Sequence, residues 1–194
     1  LGKGRYVAIT GTNGKTTTTV LTGEIFKDAG RKTEVVGNVG VAVVREAAAA
    51  SDDTWLITEI SSFQLETTKE FHPHISALLN ITPDHMDRHH TMENYAAAKG
   101  LIYKNQTKKD YFIVNRDEPQ SWKLAGQCPA TVVPFSRKQE LDFGCFVKGG
   151  EIVIRDGNGN DRIVCGVNEL GIPGAHNLEN ALAATGIAYF SGIP

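Results

Sequence analysis

The chain has 194 residues, 41% of them hydrophobic, with 22 Asp plus Glu against 20 Lys plus Arg. That suffices for one domain with its own core, so folding needs neither a disulfide framework nor a metal staple. A formal charge of −2 excludes a general nucleic-acid binder, and no apolar run approaches the roughly 20 residues of a membrane-spanning helix.

The start, Leu1-Gly2-Lys3-Gly4, is polar, lacks an initiator Met and is no signal peptide, so a piece cut from a longer protein is expected. Residues 6–10 read as a buried strand, followed by a Gly-rich turn and a helix over 15–29, with Gly30 where a C-terminal cap glycine belongs. Further strands are predicted at 33–36, 55–60, 75–81, 111–115 and 131–135, with helices at 41–50, 91–104 and 119–125. This alternation implies an α/β fold, a mainly parallel sheet covered by helices on both faces. After Ser136 the pattern changes. Residues 145–148, 151–155 and 162–167 read as short antiparallel strands joined by Gly149-Gly150 and by Asp156-Gly157-Asn158-Gly159-Asn160, an insertion or an edge. A last helix starts near His176 and is predicted to run on toward Pro194, its apolar face without a downstream partner. Cys128, Cys145 and Cys165 contain no C-x-x-C pair and read as reduced thiols of a cytoplasmic protein.

Between the first strand and the first helix stands Gly11-Thr12-Asn13-Gly14-Lys15-Thr16-Thr17. Glycines let a backbone approach an anion closely, and the first N–H groups of the helix point at it. Lys15 would neutralise β- and γ-phosphate charge, and the Thr16 hydroxyl would reach Mg²⁺. Only two residues separate the glycines, a departure from G-x-x-x-x-G-K-[ST]. An ordinary strand-to-helix turn would leave unexplained a cation beside a helix N-terminus, where the macrodipole disfavours it.

Glu59 ends a predicted strand, where side chains face the ligand crevice of open α/β sheets. Ser61-Ser62-Phe63-Gln64-Leu65-Glu66 follows it, and Asn80-Ile81-Thr82-Pro83-Asp84-His85-Met86-Asp87-Arg88-His89-His90 follows the next strand. Both segments leave the sheet at the edge carrying the Gly-rich loop. Hard oxygens with one imidazole suit Mg²⁺ or Mn²⁺ better than structural zinc. A zinc hydrolase built on His85, Asp87 and His89 would give the loop no role. His72, His74, His89 and His90 read as surface or turn residues. On the residue pattern alone, Lys99 reads as a solvent-facing helix lysine behind a Thr91 N-cap.

Together these segments resemble the Mur ligases, ATP-dependent amide-forming enzymes of peptidoglycan precursor synthesis. Folylpolyglutamate synthetases share the general plan. The resemblance rests on G-T-N-G-K-T-T at 11–17, D-H-M-D-R-H at 84–89, Tyr95-x-x-x-Lys99 and P-G-A-H-N-L-E-N-A at 173–181. It covers nearly the whole chain, as the central ATPase domain between an N-terminal UDP-binding and a C-terminal amino-acid-binding domain. Glu59–Glu66 with Gly37-Asn38-Val39-Gly40 looks most like the members that add D-glutamate to UDP-N-acetylmuramoyl-L-alanine; the nearest rival adds diaminopimelate or lysine. The resemblance implies that Gly11, Thr12, Asn13, Gly14, Lys15, Thr16, Thr17, Asn177 and Asn180 bind ATP. It also implies that Asn38, Ser61 and Gln64 touch the muramoyl substrate. Thr16 and Glu59 would hold one Mg²⁺, and His85 and a carbamylated Lys99 a second. Lys15, Glu59, His85 and Lys99 would form the catalytic set of a monomeric enzyme acting through an acyl phosphate. The chain by itself could equally be a nucleotide-binding module without catalysis. A P-loop kinase or GTPase switch would need a base- or switch-reading motif that the sequence lacks.

Overall fold

The computed structural model describes residues 3–38 and 40–194; Leu1, Gly2 and Val39, quoted above, lie outside these. The strands are β1 (Arg5–Thr10), β2 (Thr33–Gly37), β3 (Trp55–Glu59), β4 (Ile75–Leu78), β5 (Tyr111–Asn115), β6 (Thr131–Ser136), β7 (Gly144–Lys148), β8 (Glu151–Arg155) and β9 (Asp161–Gly166). The helices are α1 (Lys15–Asp28), α2 (Val43–Ala49), α3 (Ser62–Thr67), α4 (Met86–His89), α5 (Met92–Gly100), α6 (Pro119–Ala125) and α7 (Ala175–Phe190).

The strands form one sheet in the order β2-β3-β1-β4-β5-β6-β7-β8-β9. Neighbours from β2 to β7 run parallel, and β8 and β9 continue antiparallel. The α/β expectation therefore holds, with one change: β7 was expected in an antiparallel group but pairs in parallel with β6. The β-rich portion is the sheet's edge, not a separate insertion.

Central strands alternate between two cores because successive side chains face opposite ways. Val7, Ile9, Ile57, Ala77, Ile113 and Phe135 pack with Phe26 of α1 and Leu182 and Ile187 of α7. Ala8, Leu78, Phe112 and Val114 pack on the other face with Leu65, Tyr95 and Leu124 from α3, α5 and α6. With both faces covered, the strands read as unbroken apolar runs.

Helix α1 stops where the sequence predicts. Gly30 adopts φ 71°, its N–H bonds the Lys27 carbonyl, and the Arg31 N–H reaches back to Phe26. This is a Schellman closure, which needs a left-handed residue that glycine supplies at least cost. Helix α7 departs from expectation: it ends at Phe190, with Gly192 at φ 79° behind it. Its apolar face is not left waiting for a downstream partner, because Ala181, Leu182, Ala184 and Ile187 pack back onto the sheet and α1. The predicted 91–104 helix divides into α5 and a 3₁₀ turn at Leu101–Tyr103. The predicted 75–81 strand stops at Leu78, and Leu79–Thr82 turns over the Gly-rich loop. Among the described residues no helix is long and apolar enough to cross a membrane.

Phe26 is fully buried, edge-on to Trp55 with centroids 5.2 Å apart. Phe26→Ala is expected to cost roughly 3–5 kcal/mol through lost transfer energy and a residual cavity. Urea titration checks this. The midpoint should fall with the slope unchanged.

Candidate active site

The carboxyl ends of β1, β3 and β4 open onto one crevice. From β1 the chain turns through Gly11–Gly14 straight into α1. Gly14 is the N-cap at φ 83° and offers no side chain, so the first turn of α1 is uncapped. A Cβ there would strike the Asn180 side chain. The positive φ favours glycine here, and the missing Cβ leaves room for the Asn180 amide of α7.

The back of the loop is held by protein. Thr12 N–H donates to the Asn80 carbonyl at 3.0 Å and Asn13 N–H to Asn80 Oδ1 at 2.8 Å. These two N–H groups are thereby taken by the protein itself. The face available to an anion lies from Gly14 into α1. Lys15 Nζ curls back onto the carbonyls of Gly11 (3.0 Å) and Thr12 (2.8 Å). Burial pulls the Lys15 ammonium below the usual lysine range, against the opposing charges of Glu59 and Asp84.

Glu59 is only 2% exposed. Its Oε2 accepts from the Thr16 hydroxyl at 2.9 Å, and its Oε1 from Asn38 Nδ2 at 3.0 Å. The Asn38 N–H also donates to the Glu59 carbonyl at 3.1 Å. Gly37 permits this, since a Cβ there would collide with that carbonyl. A hydroxyl and a fixed carboxylate at the mouth of a phosphate loop form the hard-oxygen pair that Mg²⁺ takes alongside phosphate oxygens and water.

Lys99 is not the solvent-facing lysine that the residue pattern suggests. It is 2% exposed, with Nζ 2.8 Å from the Gly11 carbonyl and 4.6 Å from the Tyr95 ring centre. Burial, reinforced by the nearby Lys15 charge and opposed by Asp84, lowers its pKa to about 7. Tyr95 adds a contact of its own, Oη to Thr12 Oγ1 at 3.2 Å.

His85 sits at φ 52° on the exposed rim, its N–H on Asp84 Oδ1 at 2.9 Å and its ring edge-on to Phe63. His89 departs from the surface reading. It is buried, with Nε2 3.1 Å from Ser62 Oγ and its ring stacked on Phe63. Among the described residues no three His, Cys, Asp or Glu side chains are grouped to hold a metal by themselves. The His85–Asp87–His89 zinc alternative therefore has no geometric basis.

Ser61 and Gln64 form a capping box at the start of α3. Gln64 N–H donates to Ser61 Oγ at 3.2 Å, and Ser61 N–H to Gln64 Oε1 at 2.9 Å. Both stand on the surface beside the crevice. Asn180 lies against Gly14, with Nδ2 3.3 Å from Asn177 Oδ1, and Asn177 Nδ2 donates to the Pro173 carbonyl at 2.9 Å. Thr17 faces outward in the first turn of α1. Sequence reasoning assigned no role to Asn80, Thr82 or Tyr95. For Asn80 and Thr82 the signal was a polar N-x-T turn directly behind a buried strand; for Tyr95 it was the four-residue spacing to Lys99 on one helix.

Residues 9–188 match the Mur ligase middle domain. The chain belongs to the Mur ligase family. It is 52% identical over 191 residues to the UDP-N-acetylmuramoylalanine–D-glutamate ligase of Thermoanaerobacter sp. (strain X514), covering 98% of this chain and 42% of that protein. The ligase of the same name from Caldanaerobacter subterraneus is 51% identical over 193 residues, again covering 42% of the relative. The chain thus spans less than half the length of these relatives. The fold also superposes on UDP-N-acetylmuramoyl-L-alanyl-D-glutamate–2,6-diaminopimelate ligase with a TM-score of 0.74, covering 98% of this chain and 44% of that one. At 23% identity that likeness concerns the Mur ligase fold alone.

Proposed function

We propose that this chain is the ATP-binding middle domain of a cytoplasmic, monomeric ligase that joins D-glutamate to UDP-N-acetylmuramoyl-L-alanine in peptidoglycan precursor synthesis. The domains binding the UDP moiety and the incoming amino acid would lie outside it. The observation that carries the reading is the uncapped start of α1 beside Lys15, with Thr16 hydrogen-bonded to a buried Glu59. Partial positive charge, a lysine cation and a carboxylate–hydroxyl pair meet where a nucleoside triphosphate would lie.

In this reading the γ-phosphate passes to the L-alanyl carboxylate, and the amine of D-glutamate attacks the resulting acyl phosphate. The protein's part is positioning and charge neutralisation. Lys15 would leave the Gly11 and Thr12 carbonyls for the β- and γ-phosphates, offsetting repulsion between ATP and the substrate carboxylate. Asn38, Ser61 and Gln64 would orient the muramoyl substrate, and Asn177 and Asn180 the nucleotide. Two Mg²⁺ ions (or Mn²⁺) would supply Lewis-acid charge neutralisation. Thr16 and Glu59 would hold one, and His85 and a carbamylated Lys99 the other. Closure of the flanking domains would keep water from the acyl phosphate.

The test is an amino-acid screen on the full-length enzyme with Mg·ATP and UDP-N-acetylmuramoyl-L-alanine. Phosphate release and amide formation should require D-glutamate. Turnover only on a UDP-muramoyl dipeptide with diaminopimelate or lysine would overturn the reading. The isolated chain is expected to bind Mg·ATP without turnover.

A further inference from the structure

We infer that Asn80 is a positioning residue for ATP, holding the phosphate loop in its anion-accepting shape through a two-point clamp on Asn13. The inference deepens the ATP-binding reading and rests on it. Asn80 uses both halves of its amide on one residue: Oδ1 accepts the Asn13 N–H at 2.8 Å, and Nδ2 donates to the Asn13 carbonyl at 3.0 Å. Its own carbonyl takes the Thr12 N–H at 3.0 Å. Thr82 completes the seam. Its N–H donates to Thr12 Oγ1 at 3.1 Å, and its carbonyl accepts from that hydroxyl at 3.2 Å.

The seam fixes both peptides flanking Asn13, one residue before Gly14 at φ 83°. The orientation of the Gly14–Lys15 turn is therefore set before a ligand arrives, which lowers the ordering cost of binding. Only an amide can do this. The clamp needs an acceptor and a donor on one planar group, and a carboxylate supplies no donor. The seam is itself anchored. Glu118 Oε2 accepts the Ile81 N–H at 3.2 Å while also bonding Ser121 N at 2.7 Å, which ties the turn to the start of α6.

The experiment compares Asn80→Ala and Asn80→Asp in the full-length enzyme. Asn80→Asp keeps the size and the acceptor but exchanges the donor for a negative charge. Asn80→Ala removes both halves of the amide without adding charge, so agreement between the two assigns the effect to the clamp. Loss of the clamp should raise KM for ATP about tenfold, as expected for a polar contact left unmade. It should lower kcat/KM for ATP about 10²-fold, the scale of a displaced reacting group. KM for the muramoyl substrate and for the amino acid should not change, a selectivity that general unfolding would not produce. Amide exchange at Asn13 should quicken in Asn80→Ala, where the N–H loses its acceptor. An unchanged KM for ATP in both variants, with wild type active, would overturn the clamp. Wild-type protein that fails to bind Mg·ATP would instead overturn the ATP reading beneath it.

Discussion

Lys15→Ala in the full-length ligase is expected to lower kcat by at least about 10²–10³, the cost of removing one preorganised group that stabilises transition-state charge. Folding should survive. Lys15 is half-buried and, among the described residues, its ammonium bonds the carbonyls of Gly11 and Thr12, neither of which lies in a strand. Burial already works against its charge, so the fold gains little from holding a cation there. The loss should be larger in kcat than in ATP affinity, because the charge that grows on the transferring phosphoryl group is what Lys15 meets. Lys15→Arg should recover little, since the planar guanidinium is no substitute for a compact ammonium in a tight loop. Steady-state kinetics with a thermal melt on each variant checks both halves. Activity within a few-fold of wild type, with an intact melt, would refute the assignment.

The sheet was legible because central strands need continuous apolar runs and the helices between them need caps. Residues 6–10, 111–115 and 119–125 fall within one residue of β1, β5 and α6 for that reason. What local pattern does not encode is a neighbour's direction. Residues 145–148 look like a hairpin strand because the Gly149-Gly150 turn does make a hairpin with β8. Nothing in those residues says that their other edge lies parallel to β6. Helix α3 escaped notice although Ser61-x-x-Gln64 has capping-box spacing, because six residues show no helical period.

The phosphate loop was legible for a different reason: glycine, lysine and threonine have specific uses there, and the flanking strand and helix give the context. Lys99 and His89 were not legible from their own surroundings. Beside Tyr95, the run Ala96-Ala97-Ala98 offers only short side chains and no apolar stripe, so the sequence of α5 does not mark the face that buries Lys99. The resemblance to Mur ligases, not the residue pattern, raised Lys99 to a site residue. Asn80 went unassigned because a hydrogen-bonding clamp leaves no periodic trace.

Lys99→Ala is expected to abolish activity of the full-length enzyme, and a small carboxylic acid in solution should restore part of it. We propose that the neutral Lys99 amine adds to the carbon of CO₂, forming an N–C bond and releasing a proton to solvent, so that a side chain otherwise cationic becomes a carbamate anion. An ammonium beside two Mg²⁺ would be repelled: at an effective dielectric of about 20, unit charges about 4 Å apart interact by roughly 4 kcal/mol, and divalent ions by more. The reaction needs the neutral amine, which is scarce at an ordinary lysine pKa of about 10.4. Burial and the Lys15 charge bring Lys99 to about 7, so the neutral form is abundant at physiological pH before any metal arrives. The same shift has a thermodynamic signature. The folded value lies below the unfolded one, so the unfolded chain binds the extra proton between about 7 and about 10.4. Stability should therefore rise with pH across that window, and below it the folded state carries the full cost of a buried ammonium. Lys99→Met, which keeps the volume without the charge, should remove the Lys99 contribution to that rise, leaving that of Lys15, whose value burial also lowers, and leave activity absent. Denaturant melts from pH 6 to pH 10 read the first effect, and turnover with and without added carboxylate reads the second. A structure of the full-length enzyme with ATP, Mg²⁺ and bicarbonate decides the chemistry: Lys99 as a plain ammonium pointing to solvent there would overturn the carbamate.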